Sequence, residues 1–74
     1  MNLTELKRGE KARITSLVGG HGLRRNLENM GVREGKIVEK LTSQPAGGPL
    51  VIRIDNITIT MGRGMAKKVL VITF

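Results

Sequence analysis

The chain has 74 residues, enough for one small domain and too few for two, because a chain of this size buries only about 60 to 65% of the surface its unfolded form exposes. With 39% hydrophobic and 26% charged residues it has the balance of a folded soluble domain, while 13 Lys and Arg against 6 Asp and Glu give a formal charge of +7 that favours anionic partners. The absence of Cys, Trp and Tyr, with a lone Phe at position 74, excludes disulfide frameworks, zinc ribbons, thiol nucleophiles and aromatic base-stacking platforms.

Leu3 and Leu6 are spaced to pack one turn on the same side, and Arg8-Gly9-Glu10 ends that turn. The charges at Glu5, Lys7, Arg8, Glu10, Lys11 and Arg13 leave no apolar core for a signal peptide. No stretch anywhere approaches the roughly 20 apolar residues of a membrane span, so the expectation is a cytoplasmic protein that meets a membrane only at its periphery. A first strand spans Lys11 to Val18, with Ala12, Ile14, Ser16 and Val18 on one face and Arg13, Thr15 and Leu17 on the other. Gly19-Gly20-His21-Gly22 interrupts it. Leu23, Leu27 and Met30 then form the stripe of a short helix whose opposite face carries Arg24, Arg25 and Glu28. Gly31 and Val32 stand where a left-handed cap and its packing residue belong.

Lys36 to Thr42 reads as a second strand whose inward face is ambiguous, since Ile37 and Val38 are both apolar. Ser43 to Pro49 is a loop by composition. Leu50 to Ile54 and Ile57 to Met61 alternate around Asp55-Asn56, two residues that tolerate the positive φ of a tight hairpin. Gly62-Arg63-Gly64 ends the fourth strand, Met65 to Lys68 is expected to make one helical turn, and Val69 to Phe74 closes the sheet. Closure is the economical way for so short an all-β chain to hide its edges, so the expected fold is mainly β, a small five-stranded barrel with one short helix between the first and second strands.

The sequence is poor in catalytic chemistry. His21 lies between glycines with no evident orienting partner, and Gly19, Gly20 and Gly22 match neither a dinucleotide nor a Walker phosphate-binding pattern. One His, no Cys and six scattered carboxylates make no metal site within one chain; His21 enters only as a ligand shared between subunits, for a weakly held divalent ion, and no other cofactor is expected. The basic residues are dispersed from Lys7 to Lys68, and without aromatics for stacking they read against nucleic acid. The same lack removes the aromatic groove with which SH3-type barrels take proline-rich peptides.

Taken together, the landmarks Leu3-x-x-Leu6-x-x-Gly9, Gly19-Gly20-x-Gly22-Leu23, Leu27, Met30-Gly31-Val32-x-x-Gly35, Pro45-Ala46-Gly47-Gly48-Pro49-Leu50 and Met61-Gly62-Arg63-Gly64-Met65-Ala66 resemble the FeoA family. These are small cytosolic accessory proteins of bacterial and archaeal ferrous-iron uptake. The resemblance covers Leu3 to about Ile72; Glu34 replaces a common Pro, Ala46 a larger residue, and Asn26 and Met30 the usual basic residue and Leu. It implies an SH3-like barrel, no enzyme activity, and a partner in the membrane iron transporter FeoB with its cytosolic GTP-binding domain. The same domain type follows the DNA-binding domain of iron-dependent repressors. Because Met1 leads almost directly into the domain, the transport accessory role is expected here, and a metal-responsive regulator that binds nucleic acid through its basic surface is the alternative. The residues expected to meet the partner are Arg24 and Arg25 on the helix and Gly47, Gly48 and Pro49 in the loop, with an arginine supplied in trans to the transporter's nucleotide site as a sharper version. Exposed strand edges also allow a homo-oligomer.

Overall fold

The computed structural model describes residues 1–42 and 47–74. A 3-10 turn, Leu3–Glu5, leads into strand β1 (Lys11–Leu17), helix α1 (His21–Asn29), strands β2 (Ile37–Thr42), β3 (Leu50–Ile54) and β4 (Ile57–Met61), the short helix α2 (Arg63–Ala66) and strand β5 (Val69–Thr73). The strands form one antiparallel sheet in the order β4-β3-β2-β1-β5.

This sheet does not close, contrary to the expected barrel: β4 and β5 form no ladder with each other among the described residues. The reason lies in what joins and flanks them. The link from β4 to β5 coils into α2, which sinks Ala66 into the core, and the free side of β5 is taken by the amino terminus. There Asn2 bridges Leu70 and the Val71 N–H donates to the Met1 carbonyl at 2.8 Å. The helical turn expected at Met65 to Lys68 forms two residues earlier, directly after Gly62, and is a second helix in a fold expected to have one.

Alternation along the strands builds the core. Ala12, Ile14, Val38, Leu50, Ile52, Ile54, Ile59, Met61, Val69 and Val71 turn inward, and Leu3, Leu6, Leu27, Val32 and Ala66 cover them. In β1 the expected phase fails after Ile14. A register shift against β5 between Ile14 and Ser16 turns the strand by one position, so Leu17 is buried while Val18 is 43% exposed. The hairpin forms as expected, with Asp55 and Asn56 at φ 52° and 66°, the two left-handed residues that a tight turn matched to strand twist requires. The helix cap also forms as expected. Gly31 has φ 97°, its N–H donates to Glu28, and the Val32 N–H reaches back to Leu27 at 2.9 Å, placing two fully buried side chains together.

In β2, Val38 faces inward and Ile37 outward, and two residues further on the inward position is a lysine. Lys40 is 1% exposed, and its Nζ donates to the carbonyls of Leu6 at 2.7 Å and Thr4 at 3.1 Å. It thereby holds the amino-terminal turn, itself capped by Asn2 Oδ1 accepting from the Thr4 N–H and by the Glu5 carboxylate accepting from the Asn2 N–H. Burial holds the Lys40 ammonium below the ordinary lysine value, the Arg63 charge adds to the depression, and Glu10 opposes it.

Replacing Lys40 with Met is expected to lower unfolding free energy by about 1.5–3 kcal/mol, as measured by urea titration, because it removes the donor to the buried Leu6 carbonyl and the partly buried Thr4 carbonyl. The stability difference between the native chain and Lys40→Met should widen as pH rises through the depressed Lys40 value towards 10.5, since the native state there releases its proton before the unfolded chain does.

Candidate docking site on the helix face and glycine loop

Helix α1 is fixed to the core by Leu27, with Leu23 and Met30 half-buried beside it, so its other face stands outward. On that face His21, Arg24, Arg25 and Glu28 line a shallow depression of about 280 Å³. His21 and Arg25, one turn apart, are joined by an Arg25 Nη2 contact to His21 Nε2 at 3.3 Å. A guanidinium can only donate, so Nε2 is the acceptor and the ring proton sits on Nδ1. The sequence-predicted pair Arg24 and Arg25 is therefore brought together with His21, on a rigid element. No group of three or more His, Cys, Asp or Glu side chains is gathered anywhere among the described residues. One ring nitrogen already held by an arginine, beside a second arginine, makes a poor cation site within one copy.

The other predicted surface lies elsewhere. Gly47 is exposed with φ 83°, Gly48 half-buried and Pro49 exposed; positions 43–46, and with them the departure at Ala46, lie outside the described residues. A Cβ on Gly47 would stand 3.8 Å from Cδ and Nε of Arg63, the first residue of α2. Just past the far end of α2, the Lys68 carbonyl accepts from the Val18 N–H at 2.8 Å, three residues before α1 begins. The glycine loop thus neighbours the first residue of α2, while the hydrogen bond to the segment leading into α1 lies just past its end.

Arg63 is the residue that sequence reasoning missed. Read as part of a strand-ending Gly-Arg-Gly, it instead starts α2, lies half-buried against the glycine loop, and bears electrostatically on Lys40. The only available signal was the conjunction of a charged residue with two flanking glycines, which leave room for a long side chain to fold back.

Comparison with known proteins brings these features together. A family model described as the FeoA domain matches residues 1–73. The chain is 31% identical over 65 residues, 88% of its length and 77% of the relative's, to a protein of Methanocaldococcus jannaschii provisionally named Fe(2+) transport protein A. Among solved structures it resembles an iron uptake regulatory protein, FeoA, with a TM-score of 0.93 at 31% identity, covering 100% of this chain and 97% of that one. It also resembles the zinc complex of Stenotrophomonas maltophilia FeoA, described as an SH3 domain protein, with a TM-score of 0.83 at 25% identity over 97% and 89% of the two chains. The fold alone is shared with a manganese-dependent transcriptional repressor, at a TM-score of 0.90 and 16% identity, where this chain covers 41% of the other.

Gly47→Ala is expected to cost about 1–2 kcal/mol in thermal or urea unfolding, the penalty of a left-handed conformation for a residue with a Cβ. Gly20→Ala, at φ −69° with open space around it but at the N-cap of α1, where Ala is disfavoured against Gly, should cost about 0.5–1 kcal/mol, less than the change at Gly47.

Proposed function

The chain belongs to the FeoA family, and on that premise we propose that it is a non-enzymatic accessory protein of ferrous-iron uptake that docks, in the cytoplasm, on the GTP-binding domain of a FeoB-type transporter. The family match over residues 1–73 carries the link to iron transport, in keeping with the name of the Methanocaldococcus jannaschii relative. Docking draws its support from α1. Leu27 anchors the helix, and Arg24 and Arg25 are held outward on it at fixed spacing, a rigid display that loses little freedom when a partner binds. The Gly47 to Pro49 loop, with Arg63 against it, is a second candidate contact.

Among the described residues no helix is long and apolar enough to cross a membrane, which suits a partner that provides the membrane part itself. No resident cofactor belongs to this reading. The S. maltophilia protein was solved with zinc; a divalent ion on the present chain would draw ligands from two copies, with the His21 ring, released from Arg25, as this chain's donor.

The test is binding of the transporter's GTP-binding fragment to the native chain and to Arg24→Glu/Arg25→Glu, with unspecific duplex DNA as the competing ligand, each at two salt concentrations. The native chain is expected to bind the fragment and the double variant to bind it at least about tenfold more weakly. Intact binding by the double variant removes α1 from the interface, and tight DNA binding without fragment binding replaces the accessory reading with the regulatory one. Turnover of GTP by the fragment separates docking from catalysis in trans: a rise with the native chain and none with the double variant is what a supplied arginine requires.

A further inference from the structure

The outer face of the sheet carries a second surface that transporter docking does not use. Strand register places Arg13 opposite Ile37 on one side and Ile72 on the other, so an apolar, a cationic and an apolar side chain form a row across β2, β1 and β5. All three point away from the core: Ile37 is 39% and Ile72 59% exposed, and Phe74, two residues beyond Ile72 and 76% exposed, lies with its ring centroid 6.0 Å from Arg13 Cζ. Lys11 adjoins the row on the same strand face.

The acids nearby are already occupied. Glu39 takes Arg53 at 2.8 Å and Asp55 takes Lys36 at 2.6 Å. The Arg53 hydrogen bond and charge hold Glu39 below the usual carboxylate range, with a smaller contribution from Lys11, so it stays ionised and paired. With Arg53 bound to Glu39 and Lys36 to Asp55, Lys11, opposite Glu39 in the register, and Arg13 are the positive charge in excess on this face.

We propose that this face, built from Arg13, Lys11, Ile37, Ile72 and Phe74, binds reversibly to an anionic lipid surface. A second copy fits it poorly, because twofold pairing would bring Arg13 and Lys11 against their own counterparts. The depression beside it is lined by Lys11, Ile37, Glu39, Arg53, Asp55 and Asn56, which is mostly polar and offers no apolar slot for a peptide side chain. A bilayer needs no slot. It accepts protruding apolar side chains at the headgroup boundary at any spacing, and its negative charge attracts a +7 chain before contact is made. The inference is independent of the transporter reading, since the test contains lipid and no other protein.

Co-sedimentation with vesicles of phosphatidylcholine alone, or with about 30% phosphatidylglycerol, tests it. At about 50 mM salt the native chain should partition onto the anionic vesicles and not the neutral ones, and about 500 mM salt should weaken it. Ile72→Thr/Phe74→Thr, which keeps a β-branched residue in β5, should lower partition about tenfold with unchanged thermal unfolding. Phe74→Thr alone, outside the strand, should lower it in the same direction and serves should the double variant unfold. Arg13→Glu and Lys67→Glu change net charge equally, but only the first lies on this face; it should lose about tenfold and the second less than about threefold. Failure of the native chain to bind anionic vesicles at low salt overturns the proposal. So do equal losses in the two charge variants, or a native dimer that Ile72→Thr/Phe74→Thr converts to monomer.

Discussion

One buried ammonium ties the beginning of the chain to the middle of its sheet. Besides the two hydrogen bonds from its side chain, the Lys40 backbone bonds Gly9 and Glu10, so a single residue of β2 grips both ends of the segment from Thr4 to Glu10. What depends on that grip is the lid of the core. Leu3, just before that segment, and Leu6 within it are buried, α2 packs against the turn, and Asn2 covers the free edge of β5. An apolar residue at position 40 would fill the space, yet it would offer the carbonyls of Thr4 and Leu6 nothing to bond. Ionisation there is tolerated because a charged donor meets two carbonyls at once, and charge-assisted bonds are the strong ones.

The open sheet follows from the same economy. A barrel removes both edges by pairing them with each other, whereas here the two edges are treated separately. The amino terminus covers β5, and β4, Ile57 to Met61, keeps an unpaired side among the described residues. Because α2 occupies the link between β4 and β5, the space a closing ladder would use holds Ala66 and the turn instead. The same helical turn sets Arg63 against the glycine loop at its start, and just past its end the Lys68 carbonyl holds Val18 ahead of α1.

Much of this could be read from residue order where local rules act without competition. Asp55-Asn56 between alternating runs specifies its hairpin, and Gly31-Val32 after a Leu23, Leu27, Met30 stripe specifies the end of α1, because each depends only on neighbours in the chain. The reading failed where a distant partner decides. Strict alternation in β1 put Val18 inward, but a bulge set by pairing with β5 exchanged it for Leu17. The inward face of Lys36 to Thr42 is ambiguous in the sequence, and nothing local puts Lys40 on it until the carbonyls of Thr4 and Leu6, more than thirty residues earlier, arrive beside it. Of the candidate site, Arg24 and Arg25 were legible as one helix face, whereas His21, which reads as a loop residue between glycines, is the first residue of α1 and joins them. Arg63 was not legible, since its meaning comes from a loop on another strand connection.

The charge imbalance acquires a structural meaning from the same contacts. Of the six acids, Glu39 and Asp55 are taken by cations, while Glu5 and Glu10 accept backbone N–H groups of Asn2 and Lys7. Four of the six are thus spent on holding turns and strands, whereas Arg24, Arg25, Lys67 and Lys68 stand exposed on and beside the helices. A positive field of this kind draws in any anionic surface and discriminates among none. Discrimination has to come from what sits within the field at fixed geometry. On α1 that is a pair of arginines on an anchored helix, and on the sheet it is Ile37, Ile72 and Phe74 around Arg13. The two surfaces differ in the one property that separates a protein partner from a lipid one: the first presents hydrogen-bonding groups in a defined array, and the second presents apolar bulk.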